Sequence, residues 1–197
     1  MPHYFSENDH TIKSNPKEIA FRVNGTPLKF KTDHGIFAKD GFDRGTKVML
    51  DFYKPDRSQI RTALDLGCGY GVVGIYLNKV FDMIVDMVDI NERAVKLCSE
   101  NVVINHTKAT VFKSDGYQNI DKKYDLIMTN PPIRVGKEKM YELLSGAVEY
   151  LNDNGLLVLV INKKHGALSA IKYLEKIYKT VETLGRDKGF YVLACRK

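Results

Sequence analysis

From residue 61 onward, short apolar runs alternate with segments whose apolar positions recur every three or four residues. The runs at 61–66, 83–89, 109–113, 124–129 and 155–162 predict strands. The segments 72–80, 92–105 behind an Asn91 cap, 137–151 and 167–178 predict helices. Two further runs, 180–184 and 190–194, flank a 185–189 linker and predict a closing hairpin with an antiparallel last strand. This alternation predicts an α/β fold: a Rossmann-like, mostly parallel sheet of seven strands with helices on both faces. In such sheets ligands lie beyond the carboxyl ends of the strands, where the strand order reverses.

The first 50 residues read differently. Residues 17–23 alternate loosely, Asn24-Gly25 is a strong hairpin signal, and 28–31 returns as a short strand. The Gly- and Asp-rich stretch 35–46 predicts a loop. Thr46 is the predicted cap of a helix over 47–53, ended by Pro55. The expected division is therefore a β-hairpin extension with a loop over 1–50 and the α/β domain over 51–197.

Composition narrows the class. Of 197 residues, 44% are hydrophobic and 27% charged, which excludes a disordered chain, and 15 Gly with 6 Pro exclude collagen-like or Pro-rich character. Cys68, Cys98 and Cys195 have no paired spacing, so neither a disulfide scaffold nor a metal site is expected. No run of 18 apolar residues occurs and the N-terminus lacks a signal-like pattern, which predicts a soluble, cytoplasmic chain without a membrane partner. Lys plus Arg is 30 against 24 Asp plus Glu, a net charge of +6 that hints at a polyanionic partner.

The chemistry-bearing motifs fall at the strand ends. Asp65-Leu66-Gly67-Cys68-Gly69-Tyr70-Gly71-Val72-Val73-Gly74 follows the first strand of the domain, and Asp89 ends the next. Glycines there let the backbone turn sharply and let a ligand approach without a Cβ in the way. Asp89 is placed to accept from two ribose hydroxyls. Taken alone, these features fit a dinucleotide site as well as any adenosine site. Asp65 favours a ligand carrying an ammonium or sulfonium charge over a pyrophosphate. Asp115, in Ser114-Asp115-Gly116, is either a third ligand contact or a turn residue before glycine.

The sharpest motif is Asn130-Pro131-Pro132-Ile133, after the strand at 124–129. Two prolines fix two φ angles and hold a polar Asn rigidly beside free carbonyls. An exocyclic amine is a poor nucleophile because its lone pair is delocalised. Two fixed acceptors, the Asn130 side-chain oxygen and the Pro131 carbonyl, can hold both N–H bonds, aim the lone pair and stabilise charge developing on nitrogen.

Asp65, Gly67, Gly69 and Gly71 followed by Asp89 resemble the Class I methyltransferases that bind S-adenosylmethionine. That resemblance implies that the glycine loop seats the cofactor's methionine and ribose. It implies that Asp89, with Ile90 beside it, holds the ribose and that Asp115 and Gly116 lie at the adenine. Asn130-Pro131-Pro132 resembles the motif of amino-directed methyltransferases of N6-adenine, N2-guanine and glutamine N5. Most of those carry Tyr or Phe next, where this chain has Ile133. With Gly35-Ile36-Phe37, Asp43-x-Gly45-Thr46 and the terminal Gly185–Phe190 segment, residues 15–197 resemble the small-subunit ribosomal RNA guanine-N2 methyltransferase family. The resemblance implies that Phe37, Asp43, Gly45 and Thr46 cover the cofactor. It implies S-adenosylmethionine as cofactor and guanine N2 of 16S ribosomal RNA as target. The alternatives are adenine N6, glutamine N5 on a protein, or a non-catalytic adenosine- or RNA-binding module. Arg134, Lys137, Lys139, Lys163, Lys164, Arg186 and Lys188, expected around the site mouth, are the candidate RNA-phosphate contacts. The oligomeric state stays open.

Overall fold

The computed structural model describes residues 13–38 and 41–197, without the side chain of Arg134. Strands β1 (Lys17–Val23) and β2 (Thr26–Thr32) form an antiparallel hairpin. Its two-residue turn has Asn24 and Gly25 at φ +46 and +84, the left-handed pair that matches strand twist. Helix α1 (Arg44–Phe52) is capped by Asp43 rather than Thr46: the Asp43 carboxylate accepts from Thr46 N–H, so the helix begins three residues earlier than predicted. Then follow β3 (Thr62–Leu66), α2 (Val72–Phe81), β4 (Ile84–Asp89), α3 (Glu92–Ile104) and β5 (Thr110–Lys113). As expected, Asn91 caps α3, accepting from Arg93 and Ala94 N–H.

The second half comprises β6 (Tyr124–Thr129), α4 (Lys137–Gly146), β7 (Leu151–Asn162), α5 (Ala167–Leu174), β8 (Thr180–Asp187) and β9 (Phe190–Arg196). The helix predicted to reach 151 stops at Gly146, and a 3-10 turn leads into β7 at Leu151. Leu144, Ala147 and Leu151 are all fully buried in one core. Their helix-like spacing therefore runs unbroken through helix, turn and strand, which hides the boundary. Likewise α5 ends at Leu174 rather than 178, and Tyr178 is buried by donating its hydroxyl to Leu144 O at 2.7 Å. The predicted 185–189 linker is a tight turn instead: β8 continues to Asp187, and Lys188 and Gly189 take φ +44 and +86.

The main sheet has seven strands in the order β5-β4-β3-β6-β7-β9-β8. Strands β3 to β7 pair in parallel, and β9 inserts antiparallel between β7 and β8. Helices α1, α2 and α3 contribute to the core on one face, α4 and α5 to the core on the other. The central strands are accordingly almost continuously apolar: Ala63, Leu64, Leu126, Ile127 and Met128 are fully buried. The N-terminal hairpin is fastened to α3 by two asparagines one helical turn apart. Asn101 accepts from Lys31 N–H and donates to Lys31 O, and Asn105 does the same with Lys29, at 2.7–3.1 Å. Their amides act as the missing neighbour of β2, satisfying an edge that would otherwise be bare. The second Asn101 N–H donates to Tyr70 O at 2.9 Å, so the same side chain reaches the glycine loop. Among the described residues no helix is long and apolar enough to cross a membrane.

Candidate active site

The carboxyl ends of β3, β4, β5 and β6 open onto one cavity, where the chain returns from the β5 edge to place β6 against β3. Its floor is the turn after β3. Gly67 and Cys68 N–H both donate to Val88 O at 2.9 Å, and Gly71 N–H closes the turn on Cys68 O at 2.9 Å. Gly69 sits at φ +55 with open space where a Cβ would be, so a ligand can meet its backbone directly. Gly74 has the opposite reason: a Cβ there would overlap the Met87 side chain, so its bareness lets α2 lie against β4.

Asp65 is 3% exposed, and its Oδ2 accepts from Gly74 N–H at 2.9 Å. Burial pushes its carboxyl up to about 7, with the Gly74 bond opposing the shift and the nearby Asp89 adding to it. A cationic group in the cavity would offset the cost of ionising Asp65 there. Asp89 accepts from Gly69 N–H through Oδ2 and Asn91 N–H through Oδ1, both at 2.9 Å. Burial raises its pKa as well, against the pull of these bonds. Each oxygen still has a lone pair for a hydroxyl donor. Beyond it, Ile90, Asp115 and Gly116 line the cavity, with Val135 and Leu143 forming an apolar wall that the motifs did not reveal. Leu143 presses so close to Gly116 that a Cβ there would be 3.3 Å away.

At the other end stands Asn130. The hydroxyl of Thr129 donates to Leu66 O at 2.8 Å and ties the ends of β6 and β3 together. Asn130 Nδ2 donates to Asp43 Oδ2 at 2.9 Å and to Thr46 Oγ1 at 3.1 Å. Both amide N–H bonds are thereby used. The flipped amide would set its oxygen against the Asp43 carboxylate, so the hydrogen-bond network dictates one orientation, in which Asn130 Oδ1 is offered as an acceptor. One carboxylate thus starts α1, through Thr46 N–H at 2.7 Å, and aims Asn130.

Of the residues expected at the cofactor, Phe37, Asp43, Thr46, Asp65, Gly67, Gly69, Asp89, Ile90, Asp115, Gly116 and Asn130 line this single cavity. Gly71 and Gly45 do not. Gly71 caps α2, where a Cβ would lie 2.7 Å from Cys98 Sγ. Gly45 is buried in the first turn of α1, where a Cβ would press on Asp43 Oδ2, Phe190 Cε1 and Asn130 Nδ2 at 3.1–3.4 Å. Pro132 lines the cavity, whereas Pro131, which is buried, and Ile133, which opens a 3-10 turn, are outside its lining.

The covering segment is anchored by a carboxylate the motifs did not reveal. Asp33 accepts from Ser14 Oγ, Asn15 N–H and His34 N–H at 2.6–2.7 Å. Burial alone would raise its pKa, but those bonds and the Arg93 charge together hold it below the usual carboxylate range. Arg93 also donates to His34 O at 2.7 Å. From this anchor the chain runs through buried Ile36 to Phe37, 43% exposed at the cavity mouth. Tyr70 holds the far side by donating to Gly41 O at 2.9 Å.

The basic residues divide. Lys139 reaches the cavity wall. Lys137 lies over the Tyr141 ring at 5.2 Å and Arg186 over the Tyr191 ring at 4.6 Å. Exposed Lys163 and Lys164 follow β7, and exposed Lys188 sits in the β8–β9 turn, all on the carboxyl edge of the sheet. The Arg134 side chain lies outside the described set.

A family profile described as methyltransferase small domain matches residues 27–194. A Bacillus subtilis protein described as uncharacterized protein YbxB is 37% identical over 99% of this chain and 98% of its own length. The ribosomal RNA small subunit methyltransferase C of Aliivibrio fischeri is 30% identical over 92% of this chain and 53% of its own. Among solved structures, a T. thermophilus 16S rRNA N2 G1207 methyltransferase (RsmC), in complex with AdoMet and guanosine, superposes with a TM-score of 0.81. It shares 24% identity over 92% of this chain and 50% of that one, a likeness of fold. The chain spans about half the length of these ribosomal RNA methyltransferases.

Proposed function

The chain belongs to the methyltransferase small domain family, and on that premise we propose that it is an S-adenosylmethionine-dependent N-methyltransferase whose target is guanine N2 in small-subunit ribosomal RNA. The observation that carries the reading is the Asn130 amide, whose N–H bonds are both engaged by Asp43 and Thr46. Such a group can only accept. It suits a substrate that presents N–H bonds and disfavours one that presents an acceptor lone pair.

The cavity suits the cofactor on its own chemistry. A backbone cradle without side chains at Gly69, a carboxylate with spare lone pairs at Asp89 and a buried carboxylate at Asp65 match an adenosyl group that carries positive charge. When bound, S-adenosylmethionine supplies an electrophilic methyl group. The chain's own part is placement. Asn130 Oδ1 and the Pro131 carbonyl take the two N–H bonds of the amine and turn its lone pair toward the cofactor end. These acceptors also favour positive charge on nitrogen. Lys163, Arg186 and Lys188 would track phosphates at the rim. The ribosomal RNA methyltransferases among the relatives support RNA as the substrate class.

The test is to incubate the chain with methyl-labelled cofactor and, separately, small ribosomal subunits, naked ribosomal RNA and a protein bearing an exposed glutamine loop. Label in RNA or in the subunit's RNA is expected. Label confined to protein would replace the reading with glutamine methylation, and no label in any arm would leave a binding module.

A further inference from the structure

The two edges of the N-terminal hairpin differ. Across its two-residue turn Val23 and Thr26 exchange backbone hydrogen bonds, so by alternation Phe21 with Leu28, Ile19 with Phe30 and Lys17 with Thr32 do the same. The residues between them turn their N–H and C=O groups outward. On β2 these are Lys29 and Lys31, which Asn105 and Asn101 satisfy. On β1 they are Glu18, Ala20 and Arg22, all exposed. Among the described residues no strand pairs with this edge of β1, and the sheet ends there.

An open edge of seven residues can be extended by another strand. Set antiparallel to a second copy with Ala20 opposite Ala20, β1 brings Glu18 opposite Arg22 of that copy, and Arg22 opposite its Glu18. All these pairs fall at positions whose backbone groups face outward, so charge pairing and backbone pairing select the same register. A slip of two residues either way loses both charge pairs. The arrangement is two-fold symmetric and self-complementary, so it stops at a dimer.

The charged groups are available for it. Lys31, opposite Glu18 in β2, is bonded to Glu100 at 3.2 Å instead. Arg22 spends one nitrogen on Gly25 O at 2.7 Å and keeps its other N–H groups. The apolar face of the strand is covered by the chain itself, with Phe21 stacked on Phe30 at 5.1 Å and on Phe42 at 4.6 Å. The edge and the outer face are what β1 offers a partner.

We infer that β1 is a homodimer interface, at which two copies join their two-stranded hairpins edge to edge into one continuous antiparallel sheet.

Sedimentation equilibrium over a concentration series tests this. The wild type should dimerise reversibly. Glu18→Arg alone and Arg22→Glu alone each set like charges opposite one another at both pairs, and each should weaken dimerisation about tenfold. An equimolar mixture of these two variants should recover it, because the mixed pair again sets opposite charges face to face. The double variant Glu18→Arg/Arg22→Glu should recover it as well. Both positions are exposed, so melting curves should not shift. Cross-linking reads the register. The native cysteines are all buried, so Ala20→Cys adds an exposed thiol. Two such residues would stand about 5.5 Å apart at Cα, within disulfide reach. On mild oxidation with diamide, Ala20→Cys should form covalent dimers, and Lys29→Cys, exposed on β2, should not. A wild type that stays monomeric at every concentration overturns the interface. So do single variants that dimerise like the wild type, or Lys29→Cys cross-linking as fast as Ala20→Cys.

Discussion

The two ends of the cavity are assembled from different ranges of the chain. The glycine loop, Asp65 and Asp89 come from residues 65–89, with Asp89 bonded to Gly69 20 residues away. Its donors are mostly backbone N–H groups. At the other end Asn130 is aimed by Asp43, 87 residues earlier, and Phe190 and Gly45 meet beside it from opposite ends of the chain. The first end is a local turn and the second a tertiary arrangement of side chains; in the proposed function the turn would bind the cofactor and the side chains would orient the amine. The difference implies that binding and transfer can be damaged separately.

The largest separation should come from Asn130→Ala. Losing a fixed acceptor at the reacting group should cut turnover by about 10²–10³, while cofactor affinity by calorimetry stays within about threefold. Equal losses in both would erase the distinction between the ends. Asp43→Ala should come next. It frees the Asn130 amide to flip and removes the α1 cap, the latter worth about 1 kcal/mol. A tenfold fall in kcat, on the order expected for a misoriented group, is expected. Asp43→Asn should recover most of it, because an amide oxygen can still accept from Thr46 N–H and Asn130. A fall in Asp43→Asn as deep as in Asp43→Ala would mean that charge, not orientation, is what Asp43 supplies.

The cofactor end should instead announce itself in pH. Burial raises the Asp65 carboxyl to about 7 from 3.8. Between those values the folded chain keeps a proton the unfolded chain has lost, so stability falls as pH rises through that window and levels off above it. Cofactor-free Asp65→Asn should melt higher than wild type at pH 8, with the gap closing toward pH 4. A gap independent of pH would contradict the shift. The smallest effect belongs to the rim. Lys163→Ala should lower the slope of log affinity against log salt by about 0.7–0.9 for RNA, with kcat at saturation unchanged.

The same contrast decides what was legible from residues alone. Strand and helix order, the glycine loop and the Asn-Pro-Pro turn are written in neighbouring positions, and each stands where the pattern predicts it. Misplaced boundaries have local causes. Asp43 took the cap expected of Thr46, and the burial of Leu144, Ala147 and Leu151 carries a helical rhythm past the end of α4. The tertiary functions left no pattern. Asn101 and Asn105 fall within the predicted 92–105 helix with nothing in the pattern to mark them, yet they complete the edge of β2. Gly45 is marked only by its motif, and its missing side chain also leaves room that a Cβ would take from Phe190 and Asn130. Asp33 lies between the predicted 28–31 strand and the 35–46 loop and no motif marks it, although three hydrogen bonds converge on it.

The central claim is that Asn130 presents only an acceptor and so selects an amine. The position of the transferred methyl group tests it most directly, read by mass spectrometry of nucleosides digested from RNA treated with the chain and S-adenosylmethionine. The account predicts methyl on an exocyclic amine, as N2-methylguanosine. Methyl on a ring nitrogen that offers only a lone pair, such as guanine N7, or on a ribose oxygen would contradict it.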